Sequence, residues 1–245
     1  VTNLIVTGQI DTRDFSVFRD MSGVNALRVL DLSNANVIAY TTAGGYTYKA
    51  NTIHKQAFYN AFLTQIALPQ SVTTIEELAF SNNSGLQNVE LPTALKSIGR
   101  NAFLSCTNLA TPTLPNGLET IEPLAFSGCT TFTNITIPQS VIQVGKGAFY
   151  NCSNLTAILV DANSTHFASI NGALYSKDGK TLYSYPAGLT TATLASNVEA
   201  IADSAFLDCI KLTSVSTFPE TLQKIGKEAF KGCNTLTGDL VFPTS

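Results

Sequence analysis

The sequence predicts an α/β-type repeat solenoid, in which turns of about 23 residues stack their parallel strands one upon the next. The first observation behind this prediction is the dipeptide Ala-Phe, which returns at a nearly constant interval. Its phenylalanine stands at positions 58, 80, 103, 126, 149, 206 and 230. The second observation is that aliphatic residues keep the same phase around it, such as the Ile or Val five residues earlier in every repeat from Ile75 onward. We therefore expect coils that bury one another's apolar faces, since a lone repeat is too small to form a core.

A strand motif begins each repeat. The stretch from Leu86 to Leu91 reads L-x-x-V-x-L, and the stretch from Leu155 to Val160 follows the same pattern. Inward residues at the first, fourth and sixth places of such a strand are typical of leucine-rich repeats. A proline follows most of these strands and ends them, because proline cannot donate a hydrogen bond to a neighbouring strand. The V-x-x-I segment and the turn into Ala-Phe are expected to form the other side of the coil.

We expect one solenoid over residues 1–245, closed at its start by a cap. Asp11 is predicted to N-cap a short helix that carries Phe15, Phe18 and Met21 on one side. At the other end Phe242 and Pro243 begin a further repeat, so we expect the natural chain to continue. The predicted divisions are the cap (1–26), a first plain repeat with a tyrosine-bearing loop (27–50), repeats (51–160), a hairpin insert (161–193) and further repeats with a truncated last one (194–245).

The hairpin insert follows from one irregular step in the repeat. Phe149 and Phe206 are 57 residues apart, which corresponds to one ordinary repeat plus an insert of about 34 residues. Within it, Asp178-Gly179 lies between two β-prone runs, and this is a strong signal for a β-hairpin.

The order of strand, proline, V-x-x-I, small residues, Ala-Phe and cysteine resembles the BspA-type leucine-rich repeats of bacterial surface proteins. The resemblance covers roughly residues 51–245, and the plain strand from Ala26 to Ser33 resembles the opening of that family. It implies an extracellular or cell-surface location, with any signal peptide removed before Val1. It also implies an adhesive or recognition role toward an extracellular protein or glycan.

Composition and motifs argue against several other functions. Charged residues make up 13% of the chain and the net charge is −3, so the sequence lacks the basic surface of a nucleic-acid-binding protein. No apolar run approaches the ~20 residues that a transmembrane segment needs. The two histidines, His54 and His166, are expected on the surface. No hydrolase, zinc-protease or P-loop motif occurs, so we predict no catalytic residues, no metal and no cofactor.

Five cysteines keep the phase of the repeat, each three residues after its Ala-Phe. Their number is odd and each predicted coil holds one, a pattern unlike paired zinc ligands or a disulfide scaffold. We predict a structural ladder of reduced, buried thiols, since buried cysteine behaves as a small apolar residue. These cysteines are Cys106, Cys129, Cys152, Cys209 and Cys233.

The candidate ligand-binding residues are tyrosines. Six of the eight tyrosines lie in the two segments that leave the repeat, residues 37–52 and 161–193. Tyrosine offers a large contact area with a polar tip at low entropic cost, which suits recognition. The alternative is that these rings pack across their own hairpins. The candidates are Tyr46, Tyr48, Tyr175, Tyr183 and Tyr185.

A second candidate surface is the polar, nearly uncharged outer side of the predicted strands, where residues such as Thr111, Thr113, Asn134 and Thr136 stand. The leading hypothesis is a non-catalytic recognition or adhesion module. A structural spacer that carries another domain is the first alternative, and a carbohydrate-active solenoid enzyme is the second.

Overall fold

The computed structural model describes residues 2–24, 26–237 and 240–243. Within them the chain winds in successive coils that each add one or two short strands to parallel ladders. Val1 and Asn25 of the predicted cap, and Thr244 and Ser245 of the predicted truncated repeat, lie outside the described residues.

The cap consists of β1 (Asn3–Ile5), β2 (Gly8–Ile10) and α1 (Thr12–Val24). Asp11 caps the helix as predicted: its Oδ1 accepts the Arg13 N–H at 2.9 Å, and its own N–H donates to Asp14 Oδ2 at 2.8 Å. The helix buries Phe15 and Phe18 against the first coil, so the predicted helix is confirmed.

The remaining elements are all strands. Between the cap and the hairpin insert they are β3 (Val29–Asp31), β4 (Ala35–Val37), β5 (Tyr40–Thr41), β6 (Thr47–Tyr48), β7 (Thr52–Ile53), β8 (Gln65–Ala67), β9 (Thr74–Ile75), β10 (Asn88–Glu90), β11 (Ser97–Ile98), β12 (Thr120–Ile121), β13 (Asn134–Ile137), β14 (Gln143–Val144) and β15 (Ala157–Val160). From the insert onward they are β16 (Phe167–Ile170), β17 (Ala173–Ser176), β18 (Thr181–Ser184), β19 (Thr191–Ala192), β20 (Ala200–Ile201), β21 (Ser214–Val215) and β22 (Lys224–Ile225).

These strands form two walls. The first wall contains the L-x-x-V-x-L strands: β1, β3, β8 and β10, then β13 and β15, then β19 and β21. The second wall contains the V-x-x-I strands: β7, β9, β11, β12 and β14, then β18, β20 and β22. Pairing from coil to coil is parallel throughout both walls, which confirms the predicted fold class. The α/β label applies loosely, because α1 is the only α-helix among the described residues.

Turns rather than helices connect the second wall to the next coil, and the phenylalanines stack inside them. The rings of Phe58, Phe80, Phe103, Phe126 and Phe149 lie 5.1 to 6.0 Å apart and within 9° of parallel. The N–H of a phenylalanine donates to the alanine carbonyl of the following coil, for example from Phe80 to Ala102 at 2.7 Å. We call this arrangement the phenylalanine ladder. It joins the coils through side chain and backbone together.

Each of these turns contains two residues with left-handed backbone conformation, two positions before and two positions after the phenylalanine. At the later position every residue is Asn, Ser, Asp or Gly, which include the types that best tolerate positive φ. They are Asn60, Asn82, Ser105, Gly128, Asn151, Asp208 and Gly232.

The first wall is interrupted where a strand was expected between Leu109 and Leu114. Pro112 occupies the fourth, inward place of that motif and cannot donate to the ladder. Residues 111–114 form no strand, and β10 and β13 belong to separate sheets. The strand prediction is therefore wrong for this coil.

The insert is smaller than the spacing of Ala-Phe suggests. The hairpin at Asp178-Gly179 is confirmed, since β17 and β18 pair antiparallel. However, β18 also pairs in parallel with β20, so it belongs to the second wall. Tyr185 follows it in the phenylalanine place: its N–H donates to Ala205 O at 2.8 Å, and its ring stacks on Phe206 at 4.7 Å. A tyrosine thus replaces phenylalanine in a coil that the sequence pattern did not reveal.

Strand β17 divides the core. Leu174 packs into the N-terminal part of the core, whereas Ala173 and Tyr175 pack into the C-terminal part, and all three are fully buried. Alternate side chains of one strand point to opposite faces, so β17 can fill both halves at once.

The five cysteines lie one per coil with free thiols. Each thiol donates to the carbonyl of the aromatic residue one coil earlier, as from Cys106 to Phe80 at 3.1 Å and from Cys129 to Phe103 at 3.3 Å. Asn83 holds the same place one coil before Cys106, and its Nδ2 donates to Phe58 O at 2.7 Å. The shared role of these residues is to satisfy a buried carbonyl next to the phenylalanine ladder.

This role predicts how Asn83 responds to substitution. Asn83→Ala leaves the buried Phe58 carbonyl without its donor, so we expect it to lower the free energy of unfolding by about 1–3 kcal/mol. Asn83→Cys keeps a donor and removes Oδ1, which has no hydrogen-bond partner among the described residues. We expect Asn83→Cys to be at least as stable as the native protein in urea denaturation. Equal stability of the alanine variant and the native protein would contradict the proposed role.

The burial of the five cysteines also predicts which of their thiols react. Burial raises the pKa of Cys106 and of Cys152 to about 12, and the reactive species is the thiolate. Cys233 alone among the five is partly exposed. We expect Ellman's reagent to modify one thiol rapidly in the native protein and all five after denaturation. Cys233→Ser should remove the rapid phase. A total below five after denaturation would indicate a disulfide and contradict the reduced ladder.

Candidate functional site

Both tyrosine-bearing inserts precede a strand of the second wall. The first insert, β5 and β6, lies between β4 and β7, and the second, β16 and β17, lies between β15 and β18. Four strand spacings, or roughly 19 Å, separate β7 from β14 in the second wall, and β18 belongs to the next sheet. The inserts therefore join the second wall at two places along its length.

The first insert is an antiparallel hairpin in which Tyr40 is paired with Tyr48. Tyr48 stacks on Tyr40 at 6.5 Å, and Tyr46 meets Tyr48 edge-on at 4.9 Å. The guanidinium of Arg13 lies 4.2 Å above the Tyr40 ring, while Arg13 Nη2 contacts Asp11 Oδ2 at 2.6 Å. The hairpin is thus attached to the helix of the cap, and Tyr46 is left 64% exposed at its edge.

His54 lies beneath this hairpin. The sequence placed it on the surface, but it is only 2% exposed and its ring lies edge-on to Tyr48 at 5.0 Å. Its Nδ1 is 3.9 Å from Glu76 Oε2, and Nε2 has no hydrogen-bond partner among the described residues. Burial lowers the pKa of His54, with Glu76 and Asp11 opposing that shift. His166 is exposed as expected.

The segment predicted as the hairpin insert, residues 161–193, divides its three candidate tyrosines between core and surface. Tyr175 is fully buried and its hydroxyl accepts the Ala195 N–H at 3.1 Å. Tyr185 is also buried, donates from its hydroxyl to Thr191 O at 2.8 Å, and has a pKa raised by burial to about 12. Neither ring can contact a ligand in this structure, so both are packing residues. Tyr183 is 39% exposed and packs edge-on against Phe167 at 5.8 Å.

Tyr183 lies at a cleft of about 200 Å3 between the two halves of the solenoid. Lys146 and Asp203 face each other there, with Nζ and Oδ2 3.7 Å apart. The structure thus places Tyr46 against Tyr48, places Tyr183 at the cleft, and buries Tyr175 and Tyr185.

The carboxylates between the two inserts already have structural partners. Glu76 accepts the Lys55 N–H at 2.8 Å, and Glu122 accepts the Arg100 N–H at 3.2 Å. In each case the side chain satisfies a turn of the preceding coil. Gly99 lies between the two glutamates. Glycine is needed there because a Cβ would lie only 2.7 Å from the Glu76 carbonyl carbon.

The polar face of the first wall contains a second depression, of about 290 Å3, at the Pro112 interruption. Thr111, Thr113, Asn134 and Thr136 line it, together with Asp161. It has hydrogen-bonding groups but no aromatic ring, so an apolar ligand surface would find little to contact.

Sequence reasoning missed three parts of these sites: Arg13, His54 and strand β16. The pair Asn171-Gly172 joins β16 to β17 with φ of 51° and 78°, and Asn-Gly is a strong hairpin signal that could have revealed this strand. No local signal connects Arg13 with Tyr40, since the contact depends on how the cap packs against the hairpin.

The described residues offer neither a metal-binding cluster nor a membrane-spanning helix. They contain no cluster of three or more His, Cys, Asp or Glu side chains arranged to hold a metal ion. They also contain no helix of the length and hydropathy that a bilayer crossing requires.

Stacked parallel coils with an inward L-x-x-V-x-L strand and aromatic inserts define a leucine-rich-repeat solenoid. Comparison with known families assigns it further: the model of the BspA type leucine rich repeat region matches residues 51–175 and 176–244 with six copies. The chain belongs to this family, as the resemblance of its motifs predicted. No curated protein matches it.

Solved structures show the same fold. The pneumococcal vaccine antigen PcpA has a TM-score of 0.71 and 26% identity, with 81% of this chain and 53% of that chain covered. A leucine-rich repeat protein from Eubacterium ventriosum has a TM-score of 0.71 and 21% identity, covering 94% and 59%. One from Bacteroides ovatus has a TM-score of 0.57 and 30% identity, covering 83% and 48%. The chain thus spans about half to three-fifths of the length of these proteins.

The burial of His54 predicts a pH dependence of stability. Its folded pKa lies below the ~6.5 of a free imidazole, so stability is complete above that pH and is lost as the pH falls through it. From about pH 7.5 to about pH 5.5, we expect a loss of stability whose slope stays below the single-proton limit of about 1.4 kcal/mol per pH unit. His54→Gln should reduce the loss in urea denaturation, and His166→Gln, at an exposed histidine, should retain it. Equal pH dependence of the two variants would contradict this account.

Proposed function

We propose that the chain is a non-catalytic recognition or adhesion module of a cell-surface or secreted protein. It binds an extracellular protein or glycan through the inserts, with Tyr46 and Tyr183 as the principal contacts and Tyr48 supporting Tyr46. The observation that carries this proposal is that Tyr46 and Tyr183 are exposed although each ring packs against another aromatic ring.

Packing of this kind lowers the entropic cost of binding. A tyrosine has few rotatable bonds, and a neighbour that already limits its rotamers leaves less freedom to lose when a partner docks. Tyr46 rests on Tyr48, which rests on buried His54, and Tyr183 rests on buried Phe167. Two such rings offer a partner contacts that are already ordered.

Family membership supports the same proposal. The BspA-type repeats and the structural likeness to a pneumococcal vaccine antigen favour a surface-exposed binding protein.

The first test is binding of the purified chain to arrays of extracellular-matrix proteins and glycans. Tyr46→Ser and Tyr183→Ser are the test variants. Tyr59→Ser is the matched control, because Tyr59 is 38% exposed but lies in an ordinary turn outside the inserts. Loss of a binding hot spot costs at least about 2 kcal/mol, so we expect roughly 30-fold weaker binding for at least one test variant and no change for the control.

Two outcomes would contradict the proposal. Unchanged binding by the double variant Tyr46→Ser/Tyr183→Ser would move the site to the polar face of the first wall. No binding to any array component would favour the structural spacer. Circular dichroism of every variant checks that the fold is retained.

A further inference from the structure

The cleft beside Tyr183 results from a short coil. Neighbouring coils make their phenylalanine turn with two left-handed residues, as Gly147 and Asn151 do before the cleft and Ser204 and Asp208 do after it. The coil between them passes from β18 through Tyr185 with no left-handed residue from 180 to 188. One layer of turns is therefore missing, and the turns on either side face each other across the gap.

Side chains bridge this gap at three places. The Tyr150 hydroxyl donates to the Asp208 carboxylate, which helps raise the pKa of Tyr150 to about 12. Lys211 Nζ donates to Asn154 Oδ1 at 3.0 Å. The third bridge, Lys146 to Asp203, lies at the cleft itself and is longer, at 3.7 Å. The cleft is thus held between two rigid halves of the solenoid.

The cleft joins a small apolar floor to polar walls. Val144, Leu174, Tyr183 and Ser184 line it between the two charged side chains. Lys146 and Asp203 are both half-exposed and their separation exceeds the normal hydrogen-bond range. Each therefore retains hydrogen-bonding capacity for a ligand.

The chemistry of these walls restricts the ligand. Lysine only donates and ionised aspartate only accepts, so a matching ligand offers acceptors and donors close together. A purely apolar ligand would remove water from both charges without replacing their hydrogen bonds. A charged ligand would be attracted by one member of the pair and repelled by the other. A neutral, hydroxyl-rich ring offers donors and acceptors close together and carries no net charge. It also presents a C–H face to the Tyr183 ring.

Size restricts it further. Pockets for drug-sized molecules usually measure about 300–1,000 Å3, so about 200 Å3 admits a single ring with the rest of a larger ligand outside. We propose that this cleft binds one neutral pyranose unit of a glycan, with Tyr183 against the ring and with Lys146 and Asp203 hydrogen-bonded to its hydroxyls. This inference rests on the proposed recognition function and names the ligand class of its second insert.

The test uses the methyl glycosides of glucose, galactose, mannose and N-acetylglucosamine at millimolar concentrations, with amide chemical shifts of the whole chain followed by NMR. At least one glycoside should shift the amides of Gly145, Ser184 and Ala202 with saturation. Tyr183→Ala, Asp203→Asn and the cleft-filling Ala202→Leu should each weaken that binding by roughly tenfold or more. Asp203→Asn keeps an oxygen for the Lys227 N–H that Asp203 Oδ1 now accepts at 2.7 Å. Tyr59→Ala is the control and should leave binding unchanged.

Several results would contradict the proposed pyranose site. They are an absence of shifts with all four glycosides, shifts that lie elsewhere, and shifts that survive Ala202→Leu. Shifts produced by an extended peptide library but by no glycoside would assign the cleft to a peptide side chain instead. If the pocket fails while Tyr183→Ser still weakens an array partner, the recognition function stands without it. If neither Tyr46→Ser nor Tyr183→Ser affects any partner, the recognition function fails as well.

Discussion

The solenoid depends on the contact between successive phenylalanine turns. Each coil must place its aromatic ring about 5 Å from the next ring and its N–H on the next alanine carbonyl, as Phe80 does with Phe103 and Ala102. Ala102 is fully buried, so a larger side chain beside that carbonyl would compete for the space that the stacked rings occupy. Because both contacts recur from Phe58 to Phe149 and again from Tyr185 to Phe230, the repeat can vary in its loops but hardly in this turn.

Replacements within the turn follow the same requirement. Tyr185 is accepted in the phenylalanine place because its ring stacks in the same way and its hydroxyl reaches Thr191 O, so that burial leaves no polar atom unpaired. Asn83 is accepted among the cysteines because its amide donates to the same carbonyl that a thiol would contact. Position in the coil thus selects a geometric and hydrogen-bonding role, and more than one residue type can perform it.

This explains how much the sequence could predict. The repeat, the parallel strands, the helix after Asp11 and the in-phase cysteines could all be recognised because each depends on residues of one coil and its immediate neighbours. The coil of Tyr185 could not be recognised, since it has Ser184-Tyr185 where the other coils have Ala-Phe. The exposure of the candidate tyrosines could not be predicted from the sequence either. Tyr175 and Tyr183 both stand in β-strands of the same hairpin, and only the division of the core by β17 determines that one is buried and the other is not.

The surface features of this chain arise where the regular coil is interrupted. Pro112 opens a depression, the first hairpin presents Tyr46, and the short coil leaves the cleft beside Tyr183. An interruption is tolerated when neighbouring coils remain connected across it, as Tyr150 and Asp208 connect the turns that flank the short coil. Tyr46 and Tyr183 are exposed, whereas the phenylalanine ladder is buried inside the turns. Binding surfaces can therefore change at these exposed positions without disturbing the contact on which the stack depends.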